Sequence, residues 1–186
     1  MNAIIARSNA LAKWLDQATT DWLVPTLARF VFAATLLVYF WNSAVLKLGD
    51  GGISSLFSAN ANMFGQMYPK VAETVLWDVT QATAFQKLVM LSGTWAEFVL
   101  PLLVLLGLFT RLAAVGMIGF VIVQSLTDIF GHGADAKTIG SWFDNLSDGH
   151  ILDQRAFWVF LFLVLVVKGG GPFSVDRFLF RERDEA

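Results

Sequence analysis

The chain has 186 residues, 56% of them hydrophobic and only 15% charged, with a formal net charge of -2 and no cysteine. Ordinary soluble domains carry about 25% charged residues, so that class is excluded. The missing basic surplus excludes nucleic acid as a partner, and the missing thiols exclude disulfides, thiol redox chemistry and iron–sulfur clusters.

Residues 3–18 read as an amphipathic helix, with Ile4, Leu11, Leu15 and Ala18 at helical spacing and Arg7, Asn9, Asp16 and Gln17 elsewhere. Trp14 beside that stripe suits a helix lying along the membrane face. Four apolar runs follow, at 22–46, 85–108, 112–130 and 151–167. Each is near the length of about 20 residues that crosses a hydrocarbon core about 30 Å thick. Trp22 and Trp41 bracket the first run as two interfacial belts would. That run is far longer than a signal-peptide core, so no cleavable signal is expected.

The first long loop, 48–84, opens with Gly49, Gly51, Gly52 and a Ser/Asn-rich stretch, 54–62, read as turn and loop. Residues 69–80 predict a short amphipathic helix, with Pro69 at its first position and Val71, Val75, Leu76 and Val79 on one side. The second and third runs are joined only by 107–111 and must be antiparallel neighbours. Ala113, Ala114, Gly116 and Gly119 in the third run would let helix backbones approach closely. The loop 131–154 is polar, with His132, His150 and four aspartates, and the fourth run stops at the Lys-Gly-Gly-Gly-Pro of 168–172. The expected fold is all-α: a four-helix transmembrane bundle forming a single membrane domain over 1–186. About 100 residues lie outside the spans, too few for a second domain.

Lys and Arg placement sets the expected orientation. Arg7, Lys13, Arg111, Lys168, Arg177, Arg181 and Arg183 fall on one side; Lys47, Lys70, Lys87, Lys137 and Arg155 are spread over the longer loops of the other. Both termini are therefore placed in the cytoplasm.

Two charges sit inside apolar runs: Arg29 in the first and Glu97 in the second. An ionised group at the centre of a span costs on the order of 2.5–3.5 kcal/mol even on lenient insertion scales. Pro101 stands four residues after Glu97 and removes the amide that would bond the Glu97 carbonyl, leaving a locally polar spot. Three readings stand: an Arg29–Glu97 ion pair that only pins two helices, a proton, quinone or ligand site at that pair, and a snorkelling Arg29 unrelated to a protonated Glu97. A secondary polar cluster is formed by Gln124 and Asp128, one turn apart, with His132 a turn further if the helix continues past Gly131. With His150 and the loop aspartates it lacks metal-ligand spacing, and no metal is assigned. Neither histidine falls in a span, and Met90 and Met117 have no histidine partner there, so no haem is expected.

Arg29, Lys47 and Glu97 form a recurring pattern with two further stretches: Leu-Leu-Gly-Leu-Phe-Thr-Arg-Leu-Ala-Ala at 105–114, and Lys-Gly-Gly-Gly-Pro-Phe-Ser-Val-Asp at 168–176. In these features the chain resembles the DoxX family of small four-span inner-membrane proteins, over most of 22–178. Its signature positions would be Lys47, Gly107, Arg111, Pro172, Ser174 and Asp176 together with Arg29 and Glu97. The loops 48–84 and 131–154 exceed those of a minimal member. The resemblance implies a small multi-pass subunit of a quinone-linked redox system in a bacterial cytoplasmic membrane, with a membrane or periplasmic partner subunit or a second copy as its partner. A quinone is the ligand it admits, with no covalent cofactor, and the chain is not expected to be a catalyst alone. A proton or small-solute transporter and a non-catalytic assembly or scaffold subunit are the rival classes.

Overall fold

The computed structural model describes residues 2–180, and every regular element among them is helical. Helix α1 (Asn2–Ala18) covers the segment expected on the membrane face, and its Leu11, Trp14 and Leu15 side chains are exposed. The side chains of Ile4, Asp16, Gln17 and Ala18 lie outside the described set, as do Arg181 and Arg183.

The first apolar run is not one straight helix. It divides into α2 (Val24–Thr35) and α3 (Leu37–Leu48), and the two parts are bent by 43° across Leu36. Neither glycine nor proline stands at the break. Instead, Thr35 Oγ1 donates to the Val31 carbonyl one turn back, a back-bond that loosens and bends helices.

After α3 the chain turns through 49–56 and then forms α4 (Ala61–Met67), where a loop was expected. Asn60 starts α4 by accepting from the Met63 amide, and Met63 and Phe64 are fully buried. The helix expected over 69–80 is only α5 (Pro69–Thr74); Pro69 does take its first turn. Leu76 and Trp77 then adopt left-handed backbone that no helix continues, with Trp77 stacked where any Cβ on Gly65 would sit. The expected apolar stripe fails with it: Ala72 is buried, while Leu76 is 86% exposed.

Helix α6 (Ala84–Leu106) starts with a reciprocal cap between Thr83 and Gln86 and runs through Pro101 to a left-handed Gly107. Helix α7 (Thr110–Leu126) returns antiparallel and widens into a π-turn to Gly131. After the short α8 (Ala136–Ile139), a π-turn at 150–154 leads into α9 (Arg155–Lys168), which stops at left-handed Gly169; α10 (Val175–Phe180) follows. Three stretches, Ala84–Leu106, Thr110–Gly131 and His150–Lys168, are long and apolar enough to cross a membrane, and the bent α2–α3 pair makes a fourth if it counts as one span. Many outward positions are large and apolar, including Phe30, Val38, Leu88, Leu112, Phe157 and Phe160, as lipid-facing helices require.

Helix α2 packs on α9, whereas α3 packs on α6 and α7 packs on both α6 and α9. The bend thus moves the first run from one neighbour to another. Two apolar cores result. The larger joins Phe32, Phe40, Val104, Met117 and Phe162; the smaller joins Met63, Phe64, Ala72 and Met90 under the first loop.

Candidate functional site

Between these cores lies a cavity of about 870 Å3, walled by α3, α6 and α7 and roofed by the α4–α5 junction. Glycine makes the room. A Cβ on Gly116 would meet Leu100 at 2.9 Å, so this glycine serves the close helix approach expected of it. Gly119, expected to do the same, instead faces space: a Cβ there meets nothing within 4 Å. The Leu100–Gly116 contact sets the antiparallel register and puts Glu97 level with Gly119. Glu97 lies roughly 14 Å from the C-terminal end of α6, at 1.5 Å per residue.

At that level, Lys47 Nζ meets Glu97 Oε2 at 2.6 Å, and the two side chains are only 8% and 1% exposed. Lys47 also donates to Ser43 Oγ at 3.0 Å, and Asn60 holds the end of α3 by donating to the Lys47 carbonyl. Both charged groups line the cavity. Coulomb attraction in a low-dielectric wall and the second acceptor, Ser43 Oγ, offset the desolvation of the two ions.

Gln124, Asp128 and His132 line the same cavity. Gln124 sits five residues beyond Gly119, roughly 7.5 Å nearer the long loops. Its amide donates to Tyr39 Oη at 2.7 Å, while its Oε1 is buried with no partner. Asp128 is held by Arg155, which also donates to Ser125 Oγ and lies over the Trp158 ring. His132 reaches the Gln66 carbonyl at 3.0 Å; the helix ends at Gly131, but the histidine, as its C-cap, still lines the cavity. Tyr68 completes this wall, and burial pushes its phenol above the ordinary value, so it stays a protonated donor at neutral pH. Among the described residues no group of three or more His, Asp or Glu is gathered as a metal would need.

Arg29 is elsewhere, and the expected Arg29–Glu97 pair is not made. Arg29 Nε donates to the Val104 carbonyl at 3.1 Å, Nη1 to the Gly170 and Phe173 carbonyls at 3.1 and 2.9 Å, and Nη2 to the Leu105 carbonyl. The last carbonyls of a helix are short of partners within it, and α6 ends where the guanidinium reaches; the Val104 carbonyl, shared with the Gly107 amide, and three further carbonyls hold the arginine at this end. Gly107, Arg111, Pro172, Ser174 and Asp176 lie at this end, whereas Lys47 and Glu97 line the cavity. Asp176 accepts from the Phe109 and Thr110 amides and the Thr110 hydroxyl, capping α7, while its own amide donates to the Gly107 carbonyl. A Cβ on Gly107 would lie 2.6 Å from Ser174 Cβ and 2.8 Å from Arg29 Cζ, so the glycine is required by space as well as by its left-handed backbone. Ser174 Oγ donates to the Gly171 carbonyl, Pro172 lies in the turn between Gly171 and α10, and Arg111 flanks Gly169. This end is a clasp; the cavity is the chemically open place.

Sequence reasoning placed Lys47 only as a signature position, although a lysine at an apolar run's end, facing an intramembrane acid, was the available signal. Tyr39, Tyr68, Gly93 and Arg155 carried none. No protein-family model, no curated protein and no solved structure matches the chain. The arrangement offers an ammonium donor, a carboxylate acceptor and an open amide oxygen on the wall of a large, mainly apolar chamber.

Proposed function

We propose that this is a four-span bundle of the bacterial cytoplasmic membrane, both termini inside, that holds a quinone-like amphiphile in the cavity as the small membrane subunit of a redox-associated system, as its resemblance to the DoxX family implies. The observation that carries the reading is the Lys47–Glu97 pair on the wall of a cavity of about 870 Å3. Ligand chambers are commonly 300–1,000 Å3, mostly apolar, with a few converging polar groups. Lys47 supplies a donor to a ring carbonyl, Glu97 and Gln124 accept from a hydroxyl, and the apolar walls take the rest. Electron transfer would use the cofactors of a partner subunit.

Transport of protons or a small solute has less support, because the larger core, with Phe40 and Met117, stands between the cavity and the clasp. An assembly subunit would need no chamber.

Binding of a short-tailed quinone in its reduced, benzoquinol form, which carries the hydroxyls, to the purified protein in lipid nanodiscs tests the reading. Glu97→Gln weakens binding about tenfold, or about 1.4 kcal/mol, because a neutral amide oxygen accepts from a hydroxyl more weakly than a carboxylate. Gly119→Leu abolishes it with stability kept, since the new side chain enters the open space and helix propensity improves by up to about 1 kcal/mol. Arg29→Ala leaves binding affinity unchanged per folded molecule. A wild-type protein that takes up no quinone, or a Gly119→Leu variant that binds normally, refutes it.

A further inference from the structure

The cavity does not end at the Gln124 level. A second, shallower hollow of about 360 Å3 adjoins it, between α5 and the outer end of α7. Met67, Tyr68, Val123 and Thr127 line both spaces, so the two abut with only these side chains between them. The hollow's own lining includes Val71, Leu126 and Phe130, with Lys70 at its edge. Val123, Leu126 and Phe130 are 60%, 48% and 67% exposed on the face of a helix apolar enough to span a membrane. The hollow therefore faces acyl chains, and a path from lipid to Lys47 and Glu97 crosses no aqueous phase.

We infer that this groove is a tail site and lateral entrance, so that the cavity is filled from the outer leaflet by an amphiphile whose polar head stops at Lys47, Glu97 and Gln124 while its linear apolar tail lies along Val123 and Leu126. This rests on the ligand reading of the cavity given above. From the Gly119 level to Leu126 is seven residues, about 10 Å of helix. An occupant whose head stops at Gly119 needs a tail of at least that length to reach lipid. Gln124, whose buried Oε1 has no partner, lines the cavity along this path. It asks for a hydroxyl or amide on the head, since a buried acceptor left unpaired is costly. Met67 is the flexible divider: its Cε lies 2.8 Å from where a Cβ on Gly93 would be, across the cavity from the groove. An unbranched thioether can swing aside without moving backbone.

The test uses the full chain in nanodiscs and two probes with the same quinone ring in its reduced, benzoquinol form, one carrying a decyl tail with a terminal diazirine, the other only a methyl group. Leu126→Trp and Val71→Trp narrow the groove without touching the cavity wall. The expected result is tail crosslinking to the groove, and an affinity for the decyl probe lowered about tenfold or more in both variants, with the methyl probe unaffected. Unchanged decyl binding in both variants, or crosslinks on another face, overturns the inference while leaving the cavity reading intact. If a phospholipid with the same diazirine labels the groove and the quinone does not displace it, the groove is a lipid contact and the inference is overturned. If neither quinone probe binds the wild type, the cavity reading fails and takes the entrance with it.

Discussion

Removing Lys47 leaves Glu97, at 1% side-chain exposure, with no counter-charge opposite it, and removing Glu97 leaves Lys47 in the same position. Breaking a buried pair from one side typically costs about 3–5 kcal/mol, whereas replacing both members by apolar groups of similar volume is often near neutral. Lys47→Met alone is therefore expected to lower stability by about 3 kcal/mol or more, and Lys47→Met with Glu97→Leu to return to within about 1 kcal/mol of the parent. Reversible unfolding in detergent reads both; a double variant as unstable as the single would show that the charges are not each other's support. Composition and spacing announced that Glu97 was exceptional, because an acid in an apolar run needs an explanation. They did not announce its partner. Depth along a straight helix favoured Arg29, but the guanidinium goes to four carbonyls at the end of α6 and after α9, and Lys47 takes the carboxylate; neither meeting is visible in a linear pattern.

The elements meet most tightly at the clasp, where one guanidinium joins α2 to the end of α6 and to the turn after α9. Five donors in a fixed fork suit four carbonyls; a lysine ammonium offers three from a single point. Arg29→Lys is thus expected to cost about 3 kcal/mol, the equivalent of two lost charged hydrogen bonds, and to lower the thermal midpoint without altering quinone affinity. An unchanged midpoint would mean that the clasp carries no load. The three later spans were legible from length and hydropathy, Gly107 and Gly169 marked the ends of two of them, and Pro69 marked the start of α5 in the first long loop. Helix α4 was missed because serine, asparagine and glycine dominate its surroundings, while its real signals, Asn60 as a cap and Met63 and Phe64 turned inward, are only three residues. The bend at Leu36 was missed because threonine back-bonding depends on a rotamer rather than a residue type.

At the scale of the molecule, the alternating helices bring the N-terminus of α2, the α6–α7 turn and the end of α9 together, opposite the two long loops. With no native cysteine, single replacements can report on sides without background. In right-side-out vesicles, Ser58→Cys and Ser147→Cys should react with a membrane-impermeant maleimide, and Ser8→Cys only after permeabilisation. Labelling of Ser8→Cys in intact vesicles would reverse the orientation and put the groove in the inner leaflet. The reach of Arg29 has a consequence for how such a chain is made. Its acceptors at Gly170 and Phe173 lie 141 and 144 residues downstream, so a ribosome working from the N-terminus hands the first segment to the insertion machinery long before they exist. Integration of that segment is completed only when the last stretch emerges. A nascent product stopped after Lys168 would hold all its hydrophobic segments and still present an incompletely satisfied cation to quality-control proteases.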